Sequence, residues 1–151
     1  MTKTACRLAL LLSLVSFAGV GSALAGDADT PLNEDLLNEF TGVGAHIRQA
    51  GSGNTATIVQ ESGAGNFAFS ATDGDDNSVT IIQSGSDHTA GVITASEGAT
   101  VRVDQGGSGH SAGVVAEGTG ANISVTQRGV GESVIVRQTG PGEAIAITQG
   151  F

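Results

Sequence analysis

The 151-residue chain carries 15 carboxylates against 6 lysines and arginines, a formal net charge of −9, with 24 glycines, 2 prolines, 1 cysteine and neither Trp nor Tyr. An acidic balance of this size argues against a nucleic-acid partner, because phosphate binding needs a basic face. With aromatics at 3% of the residues, a conventional globular core would be thin.

The first predicted element is a secretory signal over residues 1–25. Lys3 and Arg7 precede an apolar stretch from Leu8 to Val20, which ends at the small-residue site Ala23-Leu24-Ala25. That stretch falls short of the ~20 apolar residues of a comfortable membrane span, and nothing later approaches that length. Cleavage after Ala25 would remove Met1, Lys3 and Cys6, leaving Arg48, Arg102, Arg128 and Arg137 against all the carboxylates. Cys6 lies before the apolar stretch, which argues against a lipid anchor there. The exported chain then has no disulfide, the usual staple of its compartment, so stability must come from elsewhere. Residues 26–42 read as an acidic leader with helical character around Glu34 to Phe40.

From residue 43 to 151 the chain repeats itself. Gln60, Gln83, Gln105, Gln127 and Gln149 recur at spacings of 23, 22, 22 and 22, with the extra residue in the turn Glu61 to Gly65. Gln49, Thr72, Thr94, Ala116 and Gln138 hold the equivalent places between them, giving ten units of about 11 residues. Each unit is a seven-residue alternating stretch followed by a short turn, usually x-Gly-x-Gly, as in Ala50-Gly51-Ser52-Gly53. Strands are predicted to start at Val43, Asn54, Asn66, Asn77, His88, Ala99, His110, Ala121, Glu132 and Glu143.

Side chains at positions 1, 3, 5 and 7 of a strand share a face. One set of strands puts bulky residues there (Asn77-Val79-Ile81-Gln83), while the other puts Ala at position 3 in four of five strands (His88-Ala90-Val92-Thr94). A bulky face opposite a small-residue face lets two sheets pack closely. The predicted fold is therefore all-β: a β-solenoid of stacked β-arches, five 22-residue rungs of two strands each. Buried amides need partners, since each unpaired one costs about 1–3 kcal/mol. Identical rungs supply them, each amide donating to one neighbour and accepting from the other. The predicted ladder and self-assembly residues are Gln49, Asn54, Gln60, Asn66, Asn77, Gln83, Gln105, Gln127, Gln138 and Gln149.

The pattern Gln49-Asn54-Gln60, repeated with Thr in the first place at Thr72-Asn77-Gln83, resembles the repeat of curlin subunits, as does the Gly-x-Gly turn before Asn or its substitute. The resemblance covers roughly residues 38 to 151. It implies secretion as a disordered monomer, then nucleated polymerisation into curli amyloid fibres on the cell surface, serving adhesion and the biofilm matrix. It also implies the family's partners: further copies of the chain, a companion curli subunit, and an outer-membrane secretion channel with accessory factors. No cofactor is implied. His88 and His110 depart from the family pattern where Asn is expected, as do Ala99 and Ala121 in the other column and Glu132 and Glu143 in the last rung. Both outer rungs keep Gln in both columns, which favours head-to-tail growth. The last repeat lacks the basic character of family nucleators. The resemblance thus favours the major subunit, with the minor nucleator as the alternative.

Asp73, Asp75 and Asp76, with Asp87 in the next turn, read as gatekeepers that slow aggregation. The same acidic turn lacks the downstream bidentate glutamate of a calcium loop. His88 and His110 lie one rung apart in one column. They either replace the Asn hydrogen bonds as neutral rings or form a pH-sensitive ladder. No nucleophile-and-base constellation is visible, so no enzyme is predicted. The rival reading is a monomeric β-solenoid adhesin, which would need capped ends, and no cap is visible after Gln149. An ice-binding solenoid would need an outward threonine row, which Thr100-Arg102-Asp104 interrupts.

Overall fold

The computed structural model describes residues 16–17, 24–25 and 44–150. The leader at 26–42, its expected helix, the strand start at Val43 and most of the predicted signal lie outside the described residues.

Alternating apolar residues between glycine turns produce ten strands that wind into five rungs. The first sheet stacks β4 (Thr55–Glu61), β6 (Ser78–Ser86), β8 (Thr100–Ser108), β10 (Asn122–Val130) and β12 (Ala144–Gln149) in that order. The second stacks β3 (Gly44–Gln49), β5 (Phe67–Asp73), β7 (Thr89–Glu97), β9 (Ser111–Thr119) and β11 (Ser133–Thr139). Two short bridges from the predicted signal, β1 (Ser16–Phe17) and β2 (Leu24–Ala25), pair with β4 and β3. All pairing is parallel, and Gln83 sits opposite Gln105 as Gln105 sits opposite Gln127. The fold class follows the sequence expectation. Among the described residues no helix is long and apolar enough to cross a membrane.

The core is the narrow space between the sheets. Val79, Ile81, Val101, Val103, Ile123 and Val125 from the first sheet meet Ala68, Ala90, Val92, Ala112 and Val114 from the second, all buried. Burying a side chain the size of Ile81 contributes about 1.5–3 kcal/mol. The small residues at position 3 keep the interior close-packed.

The strands run further than expected. In β6 to β10 the ladder continues for nine residues, through Gly85 and Gly107 among others, instead of stopping after seven. The corners stack in register like the strands, so backbone pairing persists through them; Gly98 N donates to Asp75 O at 2.9 Å and Gly120 N to Glu97 O at 2.8 Å. Gly85 shows why glycine is needed there. Its φ is +115°, and an added Cβ would lie 1.9 Å from the Gly107 carbonyl of the next rung.

Candidate functional site

The longest polar array in the interior is a column of five glutamines. Position 7 of each first-sheet strand turns a Gln inward, and in-register stacking sets it directly beside the next. Gln60 Nε2 donates to Gln83 Oε1 at 2.9 Å, Gln83 to Gln105 at 3.0 Å, Gln105 to Gln127 at 2.9 Å and Gln127 to Gln149 at 2.9 Å. Each amide also donates across the arch to a carbonyl opening a second-sheet strand, as Gln83 does to Phe67 O at 2.9 Å and Gln105 to Thr89 O at 3.1 Å. The column therefore binds rung to rung and sheet to sheet. Gln83, Gln105 and Gln127 are fully buried, where such bonds are strongest and their loss most costly. Every donor points towards the later rung, so the ladder has a direction.

The asparagines pair differently from the side-chain ladder expected of them. Asn77 Nδ2 donates to Ser96 O at 2.6 Å, and its Oδ1 accepts Ala99 N at 2.9 Å and Ser96 Oγ at 3.0 Å. Asn54 bonds Ala50 O at 2.8 Å, Gly74 O at 2.7 Å and Asn77 N at 3.0 Å. Asn66 bonds Gly85 O at 2.7 Å and His88 N at 3.1 Å. At position 1 the side chain is too near the corner to meet its neighbour's amide, and it pairs with corner backbone instead.

His88 and His110 continue the Asn66 column with the same connections. His110 N reaches His88 Nδ1 at 3.3 Å, and Glu132 N reaches His110 Nδ1 at 3.1 Å. A backbone N–H can only donate, so Nδ1 carries a lone pair in both rings and the proton sits on Nε2. From there His88 bonds Ser84 O at 3.2 Å and His110 bonds Gly106 O at 3.1 Å. The rings stack 5.1 Å apart and 2° from parallel. Burial lowers the His88 pKa below the ordinary histidine value, reinforced by the neighbouring His110 and only partly countered by bonds to Ser84 and Gly107 and by Asp87.

The second-sheet column, from Gln49 through Thr72, Thr94 and Ala116 to Gln138, brings no two glutamines together. Its polar atoms are incompletely paired: Gln49 Nε2, Thr72 Oγ1, Thr94 Oγ1 and Gln138 Oε1 are buried without a hydrogen-bond partner among the described residues. Gln138 Nε2 donates to Glu143 O at 2.9 Å.

The acidic residues occupy corners. Asp75 accepts Ser52 N at 2.7 Å and Ser52 Oγ at 2.9 Å from the preceding rung, and these bonds hold its carboxyl below the ordinary carboxylate range. Asp76 and Asp87 adopt φ of 57° and 58°, the conformation taken by glycine at Gly98 and Gly109 in later rungs. Asp73 is exposed at the end of β5. On the outer face of the first sheet Asp104 bridges Arg128 at 2.7 Å and Arg102 at 3.2 Å. Desolvation pushes the Asp104 carboxyl up, but the two guanidiniums outweigh it and leave it below its ordinary value.

The sequence reading missed the Ser52–Asp75 link, and the Ser96 hydroxyl that completes the Asn77 site. Both follow from a 23- or 19-residue offset that only the wound chain reveals. It also missed a second apolar cluster of Phe67, Phe69, Ala71, Ile93 and Val115 on the outward side of the second sheet.

The family model for the curlin associated repeat matches residues 74–99 and 97–129. These matches run from β6 into β10 and hold Gln83, Gln105 and Gln127 of the column together with the stacked histidines. No curated protein and no solved structure gives a match.

Proposed function

The chain carries the curlin repeat and with it belongs to the curlin family, and from that premise we propose that it is the polymerising structural subunit of an extracellular amyloid fibre of the curli kind. The observation that carries the reading is the Gln ladder, which runs unbroken through the chain and leaves amide groups unpaired at both ends; the first rung is bridged only by β1 and β2 of the predicted signal, whose removal would open it. Gln127 Nε2 donates both across the arch and to the next rung; Gln149 Nε2 makes only the bond across, to Ser133 O at 3.4 Å. At the other end Gln60 Oε1 accepts no hydrogen bond among the described residues. The second sheet offers a matching pair, with Gln138 Oε1 unpaired in the last rung and Gln49 Nε2 unpaired in the first. A second copy stacked head to tail sets Gln149 beside Gln60 and Gln138 beside Gln49, and pairs all four groups. Gln49 Nε2 and Gln138 Oε1 are buried, where an unpaired group is costly, so such mating is favoured.

On this reading the chain is exported through a dedicated outer-membrane channel, polymerises on the cell surface with a companion subunit, and serves adhesion and the biofilm matrix. The unbroken ladder and two matching ends favour the major, fibre-forming subunit over the nucleator. The test is incubation of the purified chain, freed of its signal, with a β-fibril dye. A lagged rise in fluorescence that preformed seeds abolish is expected. A stable monomer at micromolar concentration over days, seeds included, defeats the proposal and favours a monomeric solenoid.

A further inference from the structure

The residue that opens each strand forms a second relay along the stack, with a direction of its own. In the first sheet Asn54 Oδ1 accepts Asn77 N at 3.0 Å and Asn77 Oδ1 accepts Ala99 N at 2.9 Å. In the second, Asn66 Oδ1 accepts His88 N at 3.1 Å, His88 Nδ1 accepts His110 N at 3.3 Å and His110 Nδ1 accepts Glu132 N at 3.1 Å. Each of these five side chains takes the backbone N–H of the same position one rung later. Ala99 and Ala121 then interrupt the first-sheet relay, so the bond is dispensable between rungs that the chain itself ties together. There an acceptor returns only in the last rung, as Glu143, while Glu132 ends the second-sheet relay.

Glu143 is placed to continue the relay. Its carbonyl accepts Asn122 N at 3.1 Å, as the Ala121 carbonyl accepts Thr100 N at 2.7 Å, so the strand start keeps the register of earlier rungs. Gln138 Nε2 holds the same carbonyl from across the arch at 2.9 Å. The side chain is exposed at the end of the stack, where the chain has no later rung to supply an N–H. At the opposite end the N–H of Asn54 has no earlier rung: β1 meets β4 at Val59 and Gln60 alone, and belongs to the predicted signal. Asn54 is 6% exposed and fixed by its bonds to Ala50 O and Gly74 O. A second copy stacked with Gln60 beside Gln149 sets Asn54 beside Glu143, because both pairs lie six residues apart along their strands.

Resting on the fibre reading, we propose that the Glu143 carboxylate is the acceptor with which one copy takes hold of the next, receiving the Asn54 N–H of a second copy stacked on the last rung. A carboxylate accepts more strongly than the amide or imidazole that fills this place inside the chain. The stronger acceptor stands where it is needed. Inner rungs are tied by their corners, which gives them a high effective concentration for one another, whereas a junction between molecules has only its contacts. The competing role of an exposed carboxylate at a sheet edge is a brake on edge-to-edge association. The two roles differ in sign.

The test compares variants of the purified chain, freed of its signal, by the soluble concentration left in equilibrium with fibres. Glu143→Ala should raise it about tenfold, the change one charge-assisted hydrogen bond supplies. Glu143→Gln keeps an oxygen acceptor and should recover most of that loss. Glu97→Ala removes the same charge from an exposed corner and should stay within about threefold of the parent. A covalent readout follows from the loss of the single cysteine with the signal. Asn54→Cys with Glu143→Cys should cross-link oxidised fibres into a ladder of multimers, since strands in register lie about 4.8 Å apart, within the span of a disulfide; neither single variant should give a ladder. A Glu143→Ala variant that polymerises as well as the parent or better, a Glu143→Gln variant no better than Glu143→Ala, or double-cysteine fibres without the ladder overturns the proposal. A parent chain that forms no fibres defeats the fibre reading itself, so the two failures are distinguishable.

Discussion

Replacing Gln105 by Ala tests whether the glutamine column holds the stack. The side chain is fully buried and makes three hydrogen bonds: it accepts from Gln83 at 3.0 Å and donates to Gln127 Oε1 at 2.9 Å and to Thr89 O at 3.1 Å. Alanine strands all three partners in a dry interior, at about 1 kcal/mol each by the lower estimate for an unpaired buried group. The cavity left by the amide adds to this, giving a loss of about 3–4 kcal/mol. A chain that folds as it joins the fibre pays this loss on addition, and at about 1.4 kcal/mol per tenfold it raises the critical concentration roughly a hundred- to thousandfold. The control is Thr94→Val. Thr94 Oγ1 is buried and unpaired, so exchanging the hydroxyl for a methyl should be neutral or stabilise by up to about 1 kcal/mol. The assay is the soluble concentration left in equilibrium with fibres, with the dissolution midpoint in guanidinium as a second readout. If the two variants fall within about threefold of each other, the column is not what holds the rungs together.

The histidine pair should make the stack acid-sensitive. Burial lowers the His88 pKa, so the neutral form is favoured in the stack; the stability it contributes is full above the unfolded value near 6.5 and is lost as pH falls through the lowered folded value. Fibre growth should slow below about pH 6, and His88→Asn with His110→Asn, which keeps the same bonds without a titrating ring, should remove the slope; an unchanged pH profile would refute this. Gly85→Ala should block stacking, because its Cβ would meet the Gly107 carbonyl at 1.9 Å. Gly98→Ala, at φ +67° with nothing within 4 Å, should cost only about 1–2 kcal/mol of left-handed strain; comparing dissolution midpoints checks the pair. Gln149→Ala, at the open end, should reduce seeded elongation severalfold, and Thr94→Ala should not, as measured by dye kinetics on preformed seeds.

What the sequence revealed was what two periodicities can carry. A period of two locates the inward residues from Ala45 to Gln149, and a period of 22 sets Gln83 on Gln105. Stacking with a constant offset makes the fold nearly a lookup, because each residue's neighbour is the same position one repeat on. Of the two readings open for His88 and His110, the contacts fit neutral rings in place of the asparagine bonds, because imidazole offers one acceptor and one donor at nearly the places where the amide does. Two features escaped. The corners carry the ladder because glycines permit carbonyl contact between rungs, a matter of distance and not of alternation. The outward apolar face was missed because Phe67, Phe69, Ile93 and Val115 scatter over three repeats and align only when wound.

The ladder's direction gives assembly its polarity. In the first-sheet column Gln60, Gln83, Gln105 and Gln127 each donate towards the later rung, so one end of the column presents the Gln149 amide hydrogens and the other presents Gln60 Oε1. Reversing one molecule would set donor against donor at Gln149, and would pair the sheets antiparallel to every other contact in the stack. Head-to-tail addition instead repeats between molecules the contact already made four times within each chain. On the proposed fibre reading, the sequence that folds the monomer is therefore also the sequence that specifies the polymer. It follows that a chain shortened by one internal 22-residue repeat, residues 84–105, keeps both ends and the register. Such a chain should still polymerise and accept parent seeds, with a subunit repeat along the fibre shorter by about 4.8 Å. Failure of cross-seeding would show that the end rungs recognise something beyond the repeating ladder.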